Sequence, residues 1–168
     1  MVDNEEDGSM LSLQSSDRIV FNAPSDVILR ESKMIDGLVQ DFGRDRKNDV
    51  VPLSEVDADT LRRVIEYCEY HAAQDAAKKK DGADEKAIAE KALEWNRSFF
   101  DVDLDILSSL VNAANYLDMQ RLLDDGCMKI ANMIKGKSVG EIRAILGIES
   151  DMTKEEEDNI KKEFDWMF

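Results

Sequence analysis

One histidine and two cysteines are the side chains best suited to metal or nucleophilic chemistry in this chain. His71 follows Cys68 by three residues, and on a helix this spacing brings both side chains to one face. A structural zinc site needs four ligands, and no second pair completes the set. A single histidine also gives no persuasive Ser-His-Asp or Cys-His centre. We therefore expect His71 to be an ordinary histidine at the surface or rim.

Loops that bind phosphate or calcium are not predicted either. The sequence contains neither GxxxxGK[ST] nor GxGxxG, and no segment has the alternating oxygen ligands of a calcium loop. The carboxylates at 5–7 and 155–158 are typical of a solvated tail and of an acidic helix start. The basic run Lys78–Lys80 is too short, and too close to acidic residues, to form a nucleic-acid site. The sequence predicts no enzymatic activity, no cofactor and no metal.

Length and charge restrict the possible partners. The 168 residues suit one domain, or one domain with an appendage, and a chain of this size buries a substantial core without metals or disulfides. Acidic residues outnumber basic ones by 37 to 22, which gives a net charge of -15. Because nucleic acids and anionic membranes reward lysine and arginine, we expect neither as a partner. No stretch approaches the roughly 20 apolar residues of a membrane span.

The cysteines and the first residues indicate the compartment. Cys68 and Cys127 lie in apolar helical contexts outside any CxxC pair, which predicts two buried, reduced thiols. The opening residues MVDNEEDGSM lack the cationic start and the apolar stretch of a secretory signal. We expect a protein of the cytoplasm and the nucleus.

Short strands are predicted near the beginning of the chain. Residues 1–9 are expected to form a disordered acidic tail, and residues 10–22 a β-hairpin with a turn at Ser16-Asp17. A further short strand is expected at Val50–Leu53, where Pro52 suits a sheet edge or a strand end.

Helices account for most of the remaining sequence. Two short amphipathic helices precede Phe42, and a clear helix is expected over Asp57–His71. The Ala- and Lys-rich stretch at about 72–91 has little to bury, so we expect an exposed, mobile insertion there. Only helices are expected from Trp95 onward, and the whole order predicts an α+β fold with a helical extension.

The run from Ala113 to Lys137 carries more apolar side chains than a small domain needs for its own core. A stripe at helical spacing is formed by Leu123, Cys127, Ile130, Ala131 and Ile134. Leu122 and Met133 lie off this stripe, so the helix has a second apolar surface, and such a surface predicts a protein partner. Two capping boxes, Ser138–Glu141 and Thr153–Glu156, then begin further helices.

Taken together, these segments resemble the S-phase kinase-associated protein (Skp) family, the adaptors of SCF ubiquitin ligases. The similarity covers roughly residues 10–168. The residues around Tyr67-Cys68 are similar to those of the plant members of the family. The matching segments are Leu13–Asp17, Val51–Leu53, Val64–Cys68, Trp95, Val102–Asp103, Ala113–Asp118, Leu122–Asp124, Cys127, Ala131–Lys137, Glu141–Arg143, Glu155–Glu157 and Trp166.

The resemblance implies a fold and a function. The implied fold is BTB/POZ, a small three-stranded sheet flanked by helices, over residues 10–136, followed by F-box-binding helices over residues 137–168. The implied function is that of a non-catalytic adaptor, which joins a cullin scaffold to F-box substrate receptors for ubiquitination. Whether the free chain also associates weakly with itself through its apolar surface stays open at this point.

The resemblance also assigns contact residues. Asn115 and Tyr116 match the family's cullin-facing pair, although Tyr116 can bury its ring and still present its hydroxyl at a rim. The positions that match F-box contacts are Leu107, Leu123, Cys127, Ile130, Ile134, Leu146, Ile148 and Trp166. For each of these alone, packing in the chain's own core remains the alternative.

Several positions depart from the family pattern and keep other functions open. Arg18 stands where a glycine is usual, Ser108 where a bulky aromatic is usual, and Asn112 where an apolar residue is usual. The usual Lys-Thr-Pro-Glu-Glu-Ile reads Lys137–Ile142 here, without the proline. Ser108 and Asn112 favour the alternative of an F-box-binding module that acts outside a cullin complex. Another BTB interaction protein, of the elongin-C type, would leave the last helices unused.

Overall fold

The computed structural model describes residues 9–42, 50–79, 84–149 and 152–163. These residues form a three-stranded sheet and eight helices, so the predicted α+β class is confirmed. The chain divides into two compact units, one up to Lys129 and the other from Ile130 onward. This boundary lies before residue 136, where the sequence placed the domain end. The expected acidic tail lies almost entirely outside the described residues.

The predicted hairpin and edge strand are both present. The strands are β1 (Met10–Gln14), β2 (Val20–Pro24) and β3 (Val51–Pro52). β1 pairs antiparallel with β2 and parallel with β3, so the strand order is β2-β1-β3. Leu13 and Ala23 lie on the inner face of the sheet and are fully buried. Ser12 and Asn22 pair on the other face through a 2.7 Å hydrogen bond.

The turn between β1 and β2 places a bulky residue in an unusual backbone conformation. Arg18 has a φ of 66°, in the left-handed region where glycine carries no steric penalty. The Ser15 hydroxyl stabilises the turn by donating to the Ile19 carbonyl and accepting from the Ile19 N–H, both at 3.1 Å. Asp17 accepts a hydrogen bond from the Ala58 N–H at 2.9 Å. The turn is therefore tied to the helix that begins at Ala58.

Six helices begin in the first unit, and their limits are α1 (Ser25–Glu31), α2 (Lys33–Phe42), α3 (Ala58–Lys78), α4 (Glu85–Phe99), α5 (Leu104–Tyr116) and α6 (Gln120–Ile134). Asp57 caps α3 by accepting from the Thr60 N–H at 2.9 Å. Helix α3 extends beyond the predicted end at His71. Helix α4 begins after Asp84, which accepts from the Ala87 N–H at 3.1 Å.

The expected insertion at about 72–91 is helical at both of its ends. Its first part continues α3 and its last part opens α4. Alanine and lysine favour helix. Asp75 also forms an ion pair with Arg121 of α6, with 3.0 Å between Oδ2 and the guanidinium Nη1. A long-range contact of this kind gives the end of α3 a partner that the local sequence did not predict.

The core of the first unit collects the inward side chains of the sheet and of the surrounding helices. Its fully buried apolar side chains include Leu13, Ile28, Ile35, Leu53, Leu61, Tyr67, Leu110, Leu117 and Leu122. Gly126 lets α6 approach α5 closely, because a Cβ at this position would lie 2.7 Å from Val111 Cγ2. A chain of this size stabilises itself mainly by such burial.

The second unit contains two further helices and the last turn of α6. They are α7 (Val139–Leu146) and α8 (Lys154–Glu163). Both predicted capping boxes are confirmed: Ser138 with Glu141, and Thr153 with Glu156. Hydrogen bonds from the cap backbone N–H and hydroxyl lower the pKa of both glutamates. Gly147 ends α7 with a φ of 64°.

The second unit differs from the first in the burial of its side chains. Among residues 130–149 and 152–163, none whose side chain the structure describes is buried. In the described part of the chain, no helix is both long enough and apolar enough to span a bilayer.

Candidate protein-binding surfaces

The C-terminal end of α5 carries the residues expected to face a cullin. Leu110, Ala113 and Ala114 turn toward the core and are buried. Asn115 is exposed and Tyr116 is half-buried at the next positions of the same helix. The structure therefore presents an amide and part of a phenol at the surface, side by side in the chain.

The backbone after α5 is held by hydrogen bonds from the junction between α1 and α2. The Ser32 hydroxyl donates to the Leu117 carbonyl at 2.6 Å, and both residues are fully buried. The Lys33 N–H donates to the Asp118 carbonyl at 3.4 Å, and Asp118 has a φ of 49°. Ser32 also accepts from the Ile35 N–H. These bonds position the end of α5, which includes Asn115 and Tyr116.

The core-facing side of α6 is not the stripe that the sequence singled out. Leu122 and Gly126 are the buried residues of this helix. Leu123 is half-buried and Cys127 is exposed. The stripe of Leu123 and Cys127 is therefore the side that the first unit does not close, whereas the off-stripe Leu122 belongs to the core.

Leu107 corrects the predicted set of F-box contacts. Its side chain has no exposed surface, and it lies on the inner side of α5 with Leu110. In this structure it is a core residue, which agrees with the alternative of packing in the chain's own core. Apolar periodicity could not separate it from surface positions, because a buried leucine and a docking leucine follow the same spacing.

The other predicted F-box contacts that the structure describes are accessible. Ile130 and Ile134 in the last part of α6 and Leu146 in α7 are half-buried, and Ile148 is 54% exposed. These four lie in the second unit, while Leu123 and Cys127 lie in the first. Trp166 lies outside the described residues.

The two cysteines differ, contrary to the expectation that both are buried. Cys68 is fully buried, and burial, with a smaller contribution from the Glu31 carboxylate, raises the pKa of its thiol to about 12. Cys127 is exposed, and neither cysteine forms a disulfide. Because both follow a helical apolar pattern, only the packing of α6 distinguishes them.

His71 is buried, with 2% of its surface exposed, so the prediction of a surface or rim histidine is wrong. Its ring lies 4.3 Å from that of Tyr67 and 5.6 Å from that of Trp95, measured between centroids. Trp95 stacks on Tyr70 at 3.9 Å and on Phe99 at 4.7 Å. The sequence held a signal for this burial, since residue 71 continues the inward positions 61, 64 and 68.

A polar network accompanies the aromatic rings. The Tyr67 hydroxyl donates to Asp125 Oδ2 at 2.7 Å, and the Asn96 amide donates to the same oxygen at 2.8 Å. Burial, followed by the hydrogen bond and charge of Asp125, raises the pKa of Tyr67. Nothing in the sequence pattern linked these residues, because they come from α3, α4 and α6.

Reactive or metal-binding groups do not converge in the described ranges. No group of three or more His, Cys, Asp or Glu side chains within them is arranged to hold a metal ion. What the described surface offers is apolar side chains on helices, which suits association with other proteins.

Comparison with known proteins identifies the family. Residues 9–73 match the model of the Skp1 family tetramerisation domain, and residues 120–167 match that of the Skp1 family dimerisation domain. The first match lies over the three-stranded sheet and its helices, and it supports the expected BTB/POZ fold.

Similar proteins of known name cover almost the whole chain. An "E3 ubiquitin ligase complex SCF subunit sconC" of Arthroderma otae is 37% identical over 94% of this chain and 94% of its own length. "Suppressor of kinetochore protein 1" of Schizosaccharomyces pombe is 38% identical over 94% and 97%, respectively. "SCF ubiquitin ligase complex protein SKP1a" of Dictyostelium discoideum is 37% identical over 94% and 95%. With both family models matched and identity sustained along the chain, this protein belongs to the Skp1 family.

Proposed function

We propose that this protein is a non-catalytic adaptor subunit of an SCF ubiquitin ligase. It joins a cullin scaffold to F-box substrate receptors, so that substrates held by the receptor are ubiquitinated. Family membership supports the assignment, as do the names of the similar proteins from Arthroderma otae and Dictyostelium discoideum, which are both SCF complex proteins. With both cysteines free, a reducing compartment, the cytoplasm or the nucleus, is the proposed location.

The observation that carries the proposal is the unclosed apolar surface of the last helices. Val139 and Ile148 are both 54% exposed, and Ile142 and Ile145 are only half-buried. Burying apolar surface contributes about 25 cal/mol per Å². A helical unit that leaves such side chains in water gains stability when a partner covers them.

F-box helices are the partner proposed for this surface. An amphipathic helix docks by laying its apolar side into a complementary apolar groove. On the first unit the proposed contacts are Leu123 and Cys127. On the second unit they are Ile130, Ile134, Leu146, Ile148 and Trp166.

The cullin is proposed to dock at the end of α5. Asn115 supplies an exposed amide, and Tyr116 supplies a ring with a polar tip, a combination favoured at protein interfaces. Hydrogen bonds from Ser32 and Lys33 hold the following backbone in place. A surface held in this way loses little conformational entropy on binding.

The adaptor proposal is tested first with F-box segments. Mixing the full chain with several recombinant F-box segments should give a complex and raise the melting temperature, because the ligand binds the native state alone. If no segment forms a complex or raises the melting temperature, the proposal is wrong.

A charged substitution locates the F-box surface. Ile148→Asp should weaken F-box binding by at least about 30-fold, which corresponds to about 2 kcal/mol. Leu93→Asp is the matched control, because Leu93 is 55% exposed on α4 and is not one of the proposed contacts. Equal losses in the two variants would contradict the assignment of the surface.

A second candidate function is F-box binding outside a cullin complex. Ser108 is half-buried and Asn112 is exposed on α5, so two polar side chains stand where the family usually has apolar ones. Adding a cullin N-terminal domain to the preformed F-box complex discriminates between the two functions. Ternary assembly that Asn115→Ala weakens supports the adaptor. No assembly, with assembly restored by Asn112→Leu, supports the second candidate.

A further inference from the structure

A chain of polar contacts links three helices beneath the aromatic rings of the first unit. His71 Nε2 of α3 lies 3.0 Å from Asn96 Oδ1 of α4. The Asn96 amide donates to Asp125 Oδ2 of α6, which also accepts from the Tyr67 hydroxyl. His71 is the only histidine of the chain.

The direction of these hydrogen bonds fixes the tautomer of His71. Because the Asn96 amide nitrogen donates to Asp125, its oxygen is the atom that faces His71. Nε2 must then carry the hydrogen, and Nδ1 is left as an acceptor in the neutral ring. Nδ1 is buried and has no hydrogen-bond partner among the described residues. Protonation would place a buried N–H there without an acceptor.

The surroundings of His71 offer little to stabilise a cation. The ring is enclosed by Tyr67, Tyr70 and Trp95, with centroids between 4.3 and 5.6 Å away. On α4 the groups that face it, Trp95 and Asn96, are neutral, and of these the hydrogen bond to Asn96 favours the imidazolium.

The charged groups near His71 form ion pairs or hydrogen bonds with other residues. Arg121 of α6 disfavours an imidazolium, whereas Asp125 of α6 and Asp75 of α3 favour it. Arg121 is paired with Asp75, and Asp125 accepts from Tyr67 and Asn96. Burial is the largest of the effects on His71, and with Arg121 it lowers the pKa below the ordinary value of about 6.5.

We propose that His71 is an acid-sensitive latch that holds α4 against α3 and α6. In its neutral form the buried ring donates a hydrogen bond to Asn96, and the Asn96 amide donates in turn to Asp125. In its protonated form the ring is more stable in water than in the core. Helix α4 then separates from α3, and the stacking of Trp95 on Tyr70 is lost. This proposal stands on the first unit alone and does not depend on the proposed function.

The pH dependence follows from the lowered pKa. The unfolded chain holds a histidine with a pKa of about 6.5, so between this value and the lower folded value it binds more protons than the folded chain does. The stabilisation of the folded chain by neutral His71 is therefore complete above about pH 6.5. It is lost as the pH falls through the pKa that His71 has in the folded chain. Carboxylates that titrate near pH 4 are left outside the measurement by stopping at pH 5.5.

The test is an NMR titration of the full chain, in which the single histidine gives one imidazole Cε1–H resonance. We expect the Nε2–H tautomer at pH 8 and a midpoint below 6.5. In a Trp166→Phe background, Trp95 is the only tryptophan, and its emission should change over the pH range in which His71 titrates. An Nδ1–H tautomer, a midpoint at or above 6.5, or Trp95 emission independent of His71 protonation would overturn the proposal.

A variant separates the latch from a general effect of acid. His71→Gln keeps an amide N–H that can donate to Asn96 but has no group that titrates between pH 8 and 5.5. The change in Trp95 emission should disappear in this variant, and its persistence would contradict the latch. If His71→Gln does not fold, the tautomer, midpoint and Trp95 emission of the histidine-containing chain decide the question.

Discussion

The two units of this protein differ in how much of their apolar surface they bury. The first unit encloses leucines, isoleucines and aromatic rings between its sheet and helices, with many side chains fully buried. In the second unit, no described side chain is buried, although Ile142, Ile145 and Leu146 follow a helical apolar spacing. The helices there are set by their caps rather than by a core.

This difference is what the proposed adaptor needs, a stable body and apolar side chains that a partner can cover. The first unit has sufficient buried surface to fold cooperatively. The second unit holds its helices through local hydrogen bonds, which stabilise by about 1 kcal/mol each and leave the apolar side chains available. A partner that covers these side chains completes the structure.

The largest expected contrast is in thiol reactivity. At pH 8 a disulfide reagent should react quickly with one thiol per chain, Cys127, because it is exposed. Cys68 should react at least about a thousandfold more slowly, since it becomes accessible only on opening of a core worth about 5 kcal/mol or more. Cys127→Ser should remove the fast phase. Two fast thiols per chain would show that the first unit is not closed.

Truncating a side chain should destabilise the protein much more in the core of the first unit than on the second unit. Leu107→Ala should lower the free energy of unfolding by about 2–5 kcal/mol, because its side chain is completely buried. Val139→Ala, at a position that is 54% exposed in the second unit, should change it by less than about 0.5 kcal/mol. Urea denaturation measures both, and equal effects would contradict the division between the units.

Glycine substitutions test how closely α6 packs on α5. Gly126→Ala should cost about 1–3 kcal/mol, because its Cβ would lie 2.7 Å from Val111 Cγ2. Gly37→Ala in α2 meets no atom within 4 Å and should stabilise by about 0.4–1 kcal/mol. Adding Val111→Ala to Gly126→Ala should recover part of the loss. A gain in stability from Gly126→Ala alone would exclude the close contact.

Removal of a cap should act locally in the second unit. Ser138→Ala removes the hydroxyl of the first capping box and should destabilise α7 by about 1 kcal/mol. NMR chemical shifts should show less helix over Val139–Leu146. The urea midpoint of the first unit should stay unchanged, and a shift of that midpoint would show that the two units fold together.

The smallest expected effect is a gain at the hairpin turn of the first unit. Arg18→Gly should stabilise by about 0.5–1 kcal/mol, because the φ of 66° strains an arginine and suits glycine. Arg97→Gly is the control, since glycine inside a helix such as α4 should cost about 1 kcal/mol. Thermal unfolding should show these opposite signs, and a loss in both variants would argue against strain at Arg18.

Local signals in the sequence predicted much of the fold. The hairpin, the edge strand at Val51–Pro52 and both capping boxes are where the residues indicated, because each depends on neighbours close in the chain. The proposed contact residues came from the resemblance to the Skp family, and their roles remain predictions. The insertion at about 72–91 was judged by its lack of large apolar residues, and an ion pair with α6 was not foreseeable from that stretch.

Tertiary structure alone decided which way each helix faces. Apolar spacing marks a stripe on a helix but does not say whether the core or a partner covers it. The burial of Leu107, Leu122 and His71, and the exposure of Cys127, follow from how α5, α6 and α4 pack on α3 and on each other. The amino-acid sequence by itself determined most of the elements, the capping boxes and the family. Long-range packing determined which apolar side chains are buried and which stay exposed, because burial depends on residues far apart in the chain.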